Sequence, residues 1–318
     1  LPLSISLAGP WHLESSSRSL EATLPGDVLH ALLQAEMIDD PFLLENERDV
    51  QWIFQTSWIY TRDFEVSEAF LQSEQQTLFI ESLDTFATLS LNGHVLGERN
   101  ETMMQATLRD VTGLLRVGKN TLKIVFDPPA PEALQRARLN PLPIAAPISD
   151  NNRIPAMNFV RKVACHSGWD WAPCLPTMGV YGQIQLLTGT WKPLHLLIRL
   201  QGDHWEISSQ AGYLLQGFGQ QGKTLVVADK DIQRWWPAGR GEQVLYPIAI
   251  GTPYGIEHRK IGFREVEWRR LPDANGESFA LHVNGEPIFC KGANWVPPDA
   301  LPSRGDQEDA WRPLLQAA

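Results

Sequence analysis

Apolar and polar positions alternate in short runs through most of the first 190 residues. Trp58-Ile59-Tyr60-Thr61 and Thr77-Leu78-Phe79-Ile80 are rich in aromatic and β-branched residues, and Leu122-Lys123-Ile124-Val125-Phe126 alternates and stops before Pro128-Pro129. Thr88-Leu89-Ser90-Leu91 runs into Asn92-Gly93, a dipeptide that closes two-residue hairpins because both turn positions need positive φ. Short strands at regular spacing predict an all-β sandwich. One helical pattern interrupts them. Asp27 can cap the first amides, and Val28, Leu29, Leu32 and Leu33 recur at helical spacing, so a short amphipathic helix covers a core there. Residues 128–157, rich in Pro and Ala, read as a long loop of the kind that lies over a site or a partner domain.

A second β unit is expected from Trp191-Lys192-Pro193 onward, with strands over 194–200, 224–227, 244–250 and 260–268. Few strands are visible between Gln201 and Lys223, so either loops are absent from this chain or the module is a pared-down sandwich. A third segment covers 271–318. There Phe279-Ala280-Leu281-His282-Val283, Asn284-Gly285 and Pro287-Ile288-Phe289-Cys290 make another hairpin, whose second strand exits into Lys291-Gly292-Ala293-Asn294-Trp295. Residues 306–318 are a candidate helix, but Pro313 argues against an unbroken one. The boundaries are therefore set at 1–190, 191–270 and 271–318.

Composition narrows the classes. Hydrophobic residues at 43% and charged residues at 20% describe a globular protein rather than a disordered one. A net charge of -10, spread along the chain, disfavours binding to a nucleic-acid backbone. No apolar run reaches the roughly 18 residues that span a bilayer, so no membrane partner is expected. Cys165, Cys174 and Cys290 are too few for a disulfide framework and lack zinc-ligand spacing, so reduced thiols, no metal and no cofactor are expected. The odd count favours the cytoplasm. A lysosomal or secreted protein with its leader removed is the alternative, since Leu1 is not an initiator Met. No P-loop, nucleophile elbow or dinucleotide fingerprint is present.

The densest chemical signal is Cys165-His166-Ser167-Gly168-Trp169-Asp170-Trp171-Ala172-Pro173. On an extended stretch Trp169 and Trp171 would share one face and Asp170 the other. Indoles stack on the apolar faces of a pyranose while a carboxylate accepts from its hydroxyls. The bland reading is a core Trp pair beside a turn Asp, and both remain open. Asn294 and Trp295 follow a strand, where a barrel mouth would place a site; the alternative is a capped strand end with a packing Trp. Trp235-Trp236-Pro237 reads as a structural loop. Asn46-Glu47 resembles a glycosidase acid/base pair but precedes the sandwich strands, so Glu47 is taken as structural. Asn100-Glu101-Thr102 is a formal glycosylation sequon. His166 reads as a hydrogen-bonded structural imidazole rather than a proton shuttle.

Taken in order, the motifs resemble the β-mannosidase branch of glycoside hydrolase family 2. They are Gly9-Pro10-Trp11, Leu24-Pro25-Gly26-Asp27-Val28, Asp40-Pro41, Asn46-Glu47 and Gln51-Trp52-Ile53. Then come Leu83-Asp84-Thr85-Phe86-Ala87, Leu91-Asn92-Gly93, Arg161-Lys162, Cys165-His166 and Gly168-Trp169-Asp170-Trp171. Trp235-Trp236-Pro237, Ile261-Gly262-Phe263-Arg264, Val283-Asn284-Gly285 and Lys291-Gly292-Ala293-Asn294-Trp295 complete the series. The resemblance implies a mainly β chain: a jelly-roll-like sugar-binding sandwich, an immunoglobulin-like sandwich, and the first strand and helix of a truncated TIM barrel. It implies retaining exo-hydrolysis of terminal β-mannose from β-mannosides or manno-oligosaccharides, with catalytic glutamates beyond these residues and none to carry over. It maps substrate contacts onto Trp169 and Asp170, and onto Asn294 and Trp295. Ala172 before Pro173 and Val180-Tyr181 in place of an Ile-Trp depart from the family pattern. Two other readings stay open: a stand-alone carbohydrate-binding module, and a structural sandwich using its tryptophans at a partner interface. A homodimer is compatible with all three.

Overall fold

The computed structural model describes residues 3–142, 144, 155–189, 194–252 and 255–318. The boundary expected at Trp191-Lys192-Pro193 and residues 145–154 of the Pro/Ala-rich stretch lie outside them. The described chain is mainly β and forms two compact units, one of residues 3–189 with 296–318 and one of residues 194–295.

In the first unit the period-two runs become two antiparallel sheets over one core. Six strands lie in the order Ser19–Leu24, Gly9–Glu14, Trp58–Val66, Gly118–Phe126, Ala87–Leu91 and His94–Val95. The second sheet orders Ser4–Ser6, Gly179–Thr188, Gln76–Asp84 and Thr107–Asp110, with Gly26–Asp27 also paired to Gly179–Thr188. Trp11, Leu13, Trp58, Tyr60, Leu122, Ile124 and Phe126 from one sheet meet Leu78, Ile80, Leu83, Val180, Ile184 and Leu186 from the other. The buried indoles keep their donors satisfied: Trp11 Nε1 donates to the Leu7 carbonyl at 2.9 Å and Trp58 Nε1 to that of Ile53 at 3.3 Å. Asn92 and Gly93 turn the hairpin at φ 50° and 86°, as the dipeptide predicts.

Helix Val28–Gln34 forms where its pattern predicts, and the Asp27 carboxylate accepts from the His30 amide at 2.9 Å. The long loop expected over 128–157 is corrected in its first part. Residues Pro129–Leu139 are an α-helix, with Ala130 and Ala133 buried and a Glu132–Arg136 ion pair one turn apart at 2.9 Å. Prolines that look like breakers occupy its first turn, where the missing amide hydrogens have no helical acceptor to lose.

In the second unit Leu196–Gln201, His204–Ser209 and Thr224–Ala228 form one sheet, and Gln220–Gly222, Leu214–Gly217, Tyr246–Thr252 and Gly255–Ile261 another. Both feed one core around Trp205, Leu225, Ile250 and Phe263. Three of these strands fall between 201 and 223, where the sequence pattern showed few, so the pared-down reading is overturned. The expected strand over 260–268 is two strands, Gly255–Ile261 and Val266–Arg269. Phe263 sits between them, buried at 5.3 Å from the Trp205 ring. The hairpin Ala280–Val283/Glu286–Ile288 closes through Asn284 and Gly285 at φ 51° and 87°, and Val266–Arg269 pairs with its first strand.

Residues Val296–Ala318 belong to the first unit. Leu301 enters its core with no exposed surface, and Ser303 Oγ donates to Asp27 Oδ2 at 2.8 Å. Helix Glu308–Ala317 continues through Pro313, against expectation. The missing donor leaves the Asp309 carbonyl without its intrahelical partner on an exposed helix that water can serve.

Candidate functional site

The Gly-Trp-Asp-Trp stretch lies in a loop of the first unit that runs from Arg161 to the strand Gly179–Thr188. Its departure is pinned by the Met103 amide donating to the Arg161 carbonyl at 3.0 Å. A 3-10 turn, Ala164–Ser167, ends at Gly168, whose φ of 94° lets the chain reverse without a Cβ clash. Trp169 and Ala172 then exchange backbone bonds, 3.0 Å and 3.3 Å, across a two-residue tip. The expected alternation, with both tryptophans on one face, is therefore corrected. Trp169 stands half-buried at the base of a tight turn, while Asp170 and Trp171 are exposed together at its tip, Trp171 by 47%. The exposed indole beside the carboxylate is Trp171, which the extended-chain reading could not single out.

Side chains hold this turn from two directions. On the sheet side, Lys162 Nζ donates to Asp84 Oδ2 at 2.9 Å, to the Thr177 carbonyl at 2.7 Å and to Thr177 Oγ1 at 3.1 Å. Both charged side chains are 1% exposed, and Lys162 also lies 4.9 Å from the Phe54 ring. Thr85 Oγ1 donates to Asp84 Oδ1. On the far side, Glu47 Oε2 accepts from the Cys174 amide at 3.3 Å, and Gln51 Nε2 donates to the Cys174 carbonyl at 2.8 Å. Glu47 thus serves the backbone, in keeping with its structural reading. The motif pairs Arg161-Lys162 and Asp84-Thr85 were visible in the sequence, but their union across 78 positions was not.

His166 is buried in the same loop, and its Nδ1 has no hydrogen-bond partner among the described residues. Desolvation, aided by the Lys162 charge and opposed by Asp84, pushes its pKa down to about 4. A neutral ring with an unpaired nitrogen differs from the hydrogen-bonded imidazole expected. Burial likewise raises the Cys165 thiol, and all three cysteines are unbridged. Asn100 is buried. Its amide nitrogen donates to the Leu83, Thr85 and Thr102 carbonyls at 2.7–3.1 Å while its oxygen accepts from Thr107, so the folded sequon offers no free acceptor.

Asn294 and Trp295 lie in the second unit, on an exposed strandless stretch after Glu286–Ile288, with Trp295 52% exposed. They are neighbours there, and Trp169 and Asp170 are neighbours in the first unit. Trp235 is a loop residue of the second unit, its amide donating to Phe263 O at 2.8 Å and its ring under Arg264. Among the described residues no three His, Cys, Asp or Glu side chains gather as a metal site, and no helix is long and apolar enough to cross a membrane.

Known proteins are similar to this chain in sequence and in fold. The β-mannosidase B of Emericella nidulans is 33% identical over 88% of this chain and 36% of its own length. The Bos taurus β-mannosidase is 29% identical over 95% of the chain and 39% of its own. The crystal structure of the β-D-mannosidase from Dictyoglomus thermophilum matches 99% of the chain at a TM-score of 0.81 and 28% identity, over 42% of that protein. The chain thus spans about two fifths of the length of these relatives. Residues 11–182 match the family model described as glycosyl hydrolase 2 galactose-binding domain-like. With more than half its residues inside that match, the chain belongs to glycoside hydrolase family 2.

Proposed function

We propose that residues 1–318 are the front part of a retaining exo-β-mannosidase that removes terminal β-mannose from β-mannosides. In this reading the first unit's two sheets are the jelly-roll-like sugar-binding domain of 1–190. The sheets that follow are the immunoglobulin-like sandwich of 191–270, and 271–318 begins the TIM barrel. Retention needs two carboxyl groups about 5 Å apart, and these are expected in the parent enzyme outside residues 1–318. No catalytic residue is assigned here. Trp169 and Asp170 contact the terminal sugar, and Asn294 and Trp295, on the exposed stretch after Glu286–Ile288, are the other residues assigned to substrate.

The observation that carries the reading is the Trp169–Ala172 turn. It holds the Asp170 carboxylate out to solvent beside the half-buried Trp169 and the exposed Trp171, indoles and a carboxylate being the pairing that binds a pyranose, in a chain about 30% identical to proteins named β-mannosidases. A carboxylate that accepts from a sugar hydroxyl as charge develops is worth roughly 2–4 kcal/mol in a water-excluded site. Asp170→Ala in the parent enzyme should therefore lower kcat/KM on a β-mannoside by about 30- to 1000-fold. An unchanged kcat/KM would remove Asp170 from the sugar site.

A further inference from the structure

We propose that Lys162 is a positioning residue. With Asp84 and Thr177 it closes the base of the 163–176 loop, and so sets where the Trp169–Ala172 turn presents Asp170 and Trp171. The use of that placement for sugar binding rests on the function proposed above; the closure itself does not.

Lys162 stands one residue after the pinned Arg161, and Thr177 two residues before the strand Gly179–Thr188 begins. The bonds from Nζ to Thr177 therefore join the two ends of the loop. One of them goes to a backbone carbonyl, so it fixes main-chain position and not merely a side chain. All three ammonium hydrogens have acceptors, which is what a lysine needs at 1% exposure. Asp84 is the last residue of the strand Gln76–Asp84, paired with Gly179, so the cation is anchored to the sheet itself. Desolvating two charges makes such a pair a poor source of stability compared with apolar residues of equal volume. Its geometry serves placement instead. The Glu47–Gln51 clip on Cys174 holds the descending limb in the same manner, by side chains reaching backbone atoms. A misplacement of roughly 1 Å in a binding group can cost about 100-fold in rate, so such bracing matters where a turn presents sugar contacts.

The test uses the whole 318-residue chain labelled with 5-fluorotryptophan, the Trp169 and Trp171 resonances being assigned from Trp→Phe variants. Lys162→Met strands a buried carboxylate and risks unfolding. The double variant Asp84→Leu/Lys162→Met removes both charges and keeps the core filled. Gln51→Ala leaves the buried pair intact and reads the second clip. We expect amides of 163–176 in the double variant to exchange at least about tenfold faster, and the Trp169 and Trp171 resonances to shift or broaden. Strands Trp58–Val66 and Gly118–Phe126 should keep their rates. Gln51→Ala should speed exchange over 172–176 alone. Unchanged loop exchange with unchanged fluorine signals overturns the proposal. So does equal acceleration of loop and sheet, which would make the pair a core element only. The Asp170→Ala assay reads a rate on a mannoside, so either idea can fail while the other stands.

Discussion

His166 shows how one residue carries a pH signature. Its pKa in the folded chain is about 4, against an ordinary value near 6.5. Between those values the unfolded chain takes up the proton first. Stability is therefore intact above about pH 6.5 and falls as the pH drops toward 4, by roughly 3 kcal/mol in all. Urea titrations of the parent chain and of His166→Asn across that window should differ in slope, with the variant flatter. Parallel slopes would show that the imidazole is solvated. The same loop shows where local reading stops. Gly168-Trp169-Asp170-Trp171 announced indoles beside a carboxylate, and the fold gathers all three side chains in one turn. Which indole faces solvent depended on the positive φ at Gly168 and on the Trp169–Ala172 pairing, and neither has a period that marks it in the sequence.

Elements with strong periodicity were legible. Trp58–Val66, Gly118–Phe126 and Ala87–Leu91 alternate because one face is buried, and the Asn92-Gly93 turn follows from backbone sterics. Those that were missed had weaker signals. Leu214–Gly217 and Gln220–Gly222 are only four and three residues long, too short to show a period. The helix Pro129–Leu139 hides behind its own prolines. Close approach of strands is another feature invisible in one dimension. A Cβ on Gly179 would lie 2.1 Å from the Gly26 carbonyl oxygen and 2.7 Å from Asp27 Cα. Gly179→Ala must therefore push Gly26–Asp27 off the sheet, disturbing the residue that caps helix Val28–Gln34. We expect a loss of about 3 kcal/mol, at the upper end of overpacking costs, measured by chemical denaturation. A stability within about 0.5 kcal/mol of the parent would mean the strands separate freely.

For the molecule as a whole, the return of Val296–Ala318 to the first unit is the feature with the most reach. Leu301 fills that unit's core, and Ser303 donates to Asp27, which burial holds above the usual carboxylate range, and meets His30 Nδ1 at 3.0 Å. Leu301→Ala should cost about 2–5 kcal/mol and speed amide exchange in strands more than 200 residues earlier. Exchange confined to residues near 301 would show that the segment is only laid on the surface. From the sequence alone came the β class, most hairpins, the capped helix and the family resemblance, because alternation, turn stereochemistry and motif order are properties of neighbouring residues. Left to the tertiary structure were the union of Lys162 with Asp84 and Thr177, the burial that neutralises His166, the occupied amide of Asn100 and the seat of Leu301. Each joins positions far apart in the chain, and desolvation and hydrogen-bond satisfaction exist only once the core has closed around them.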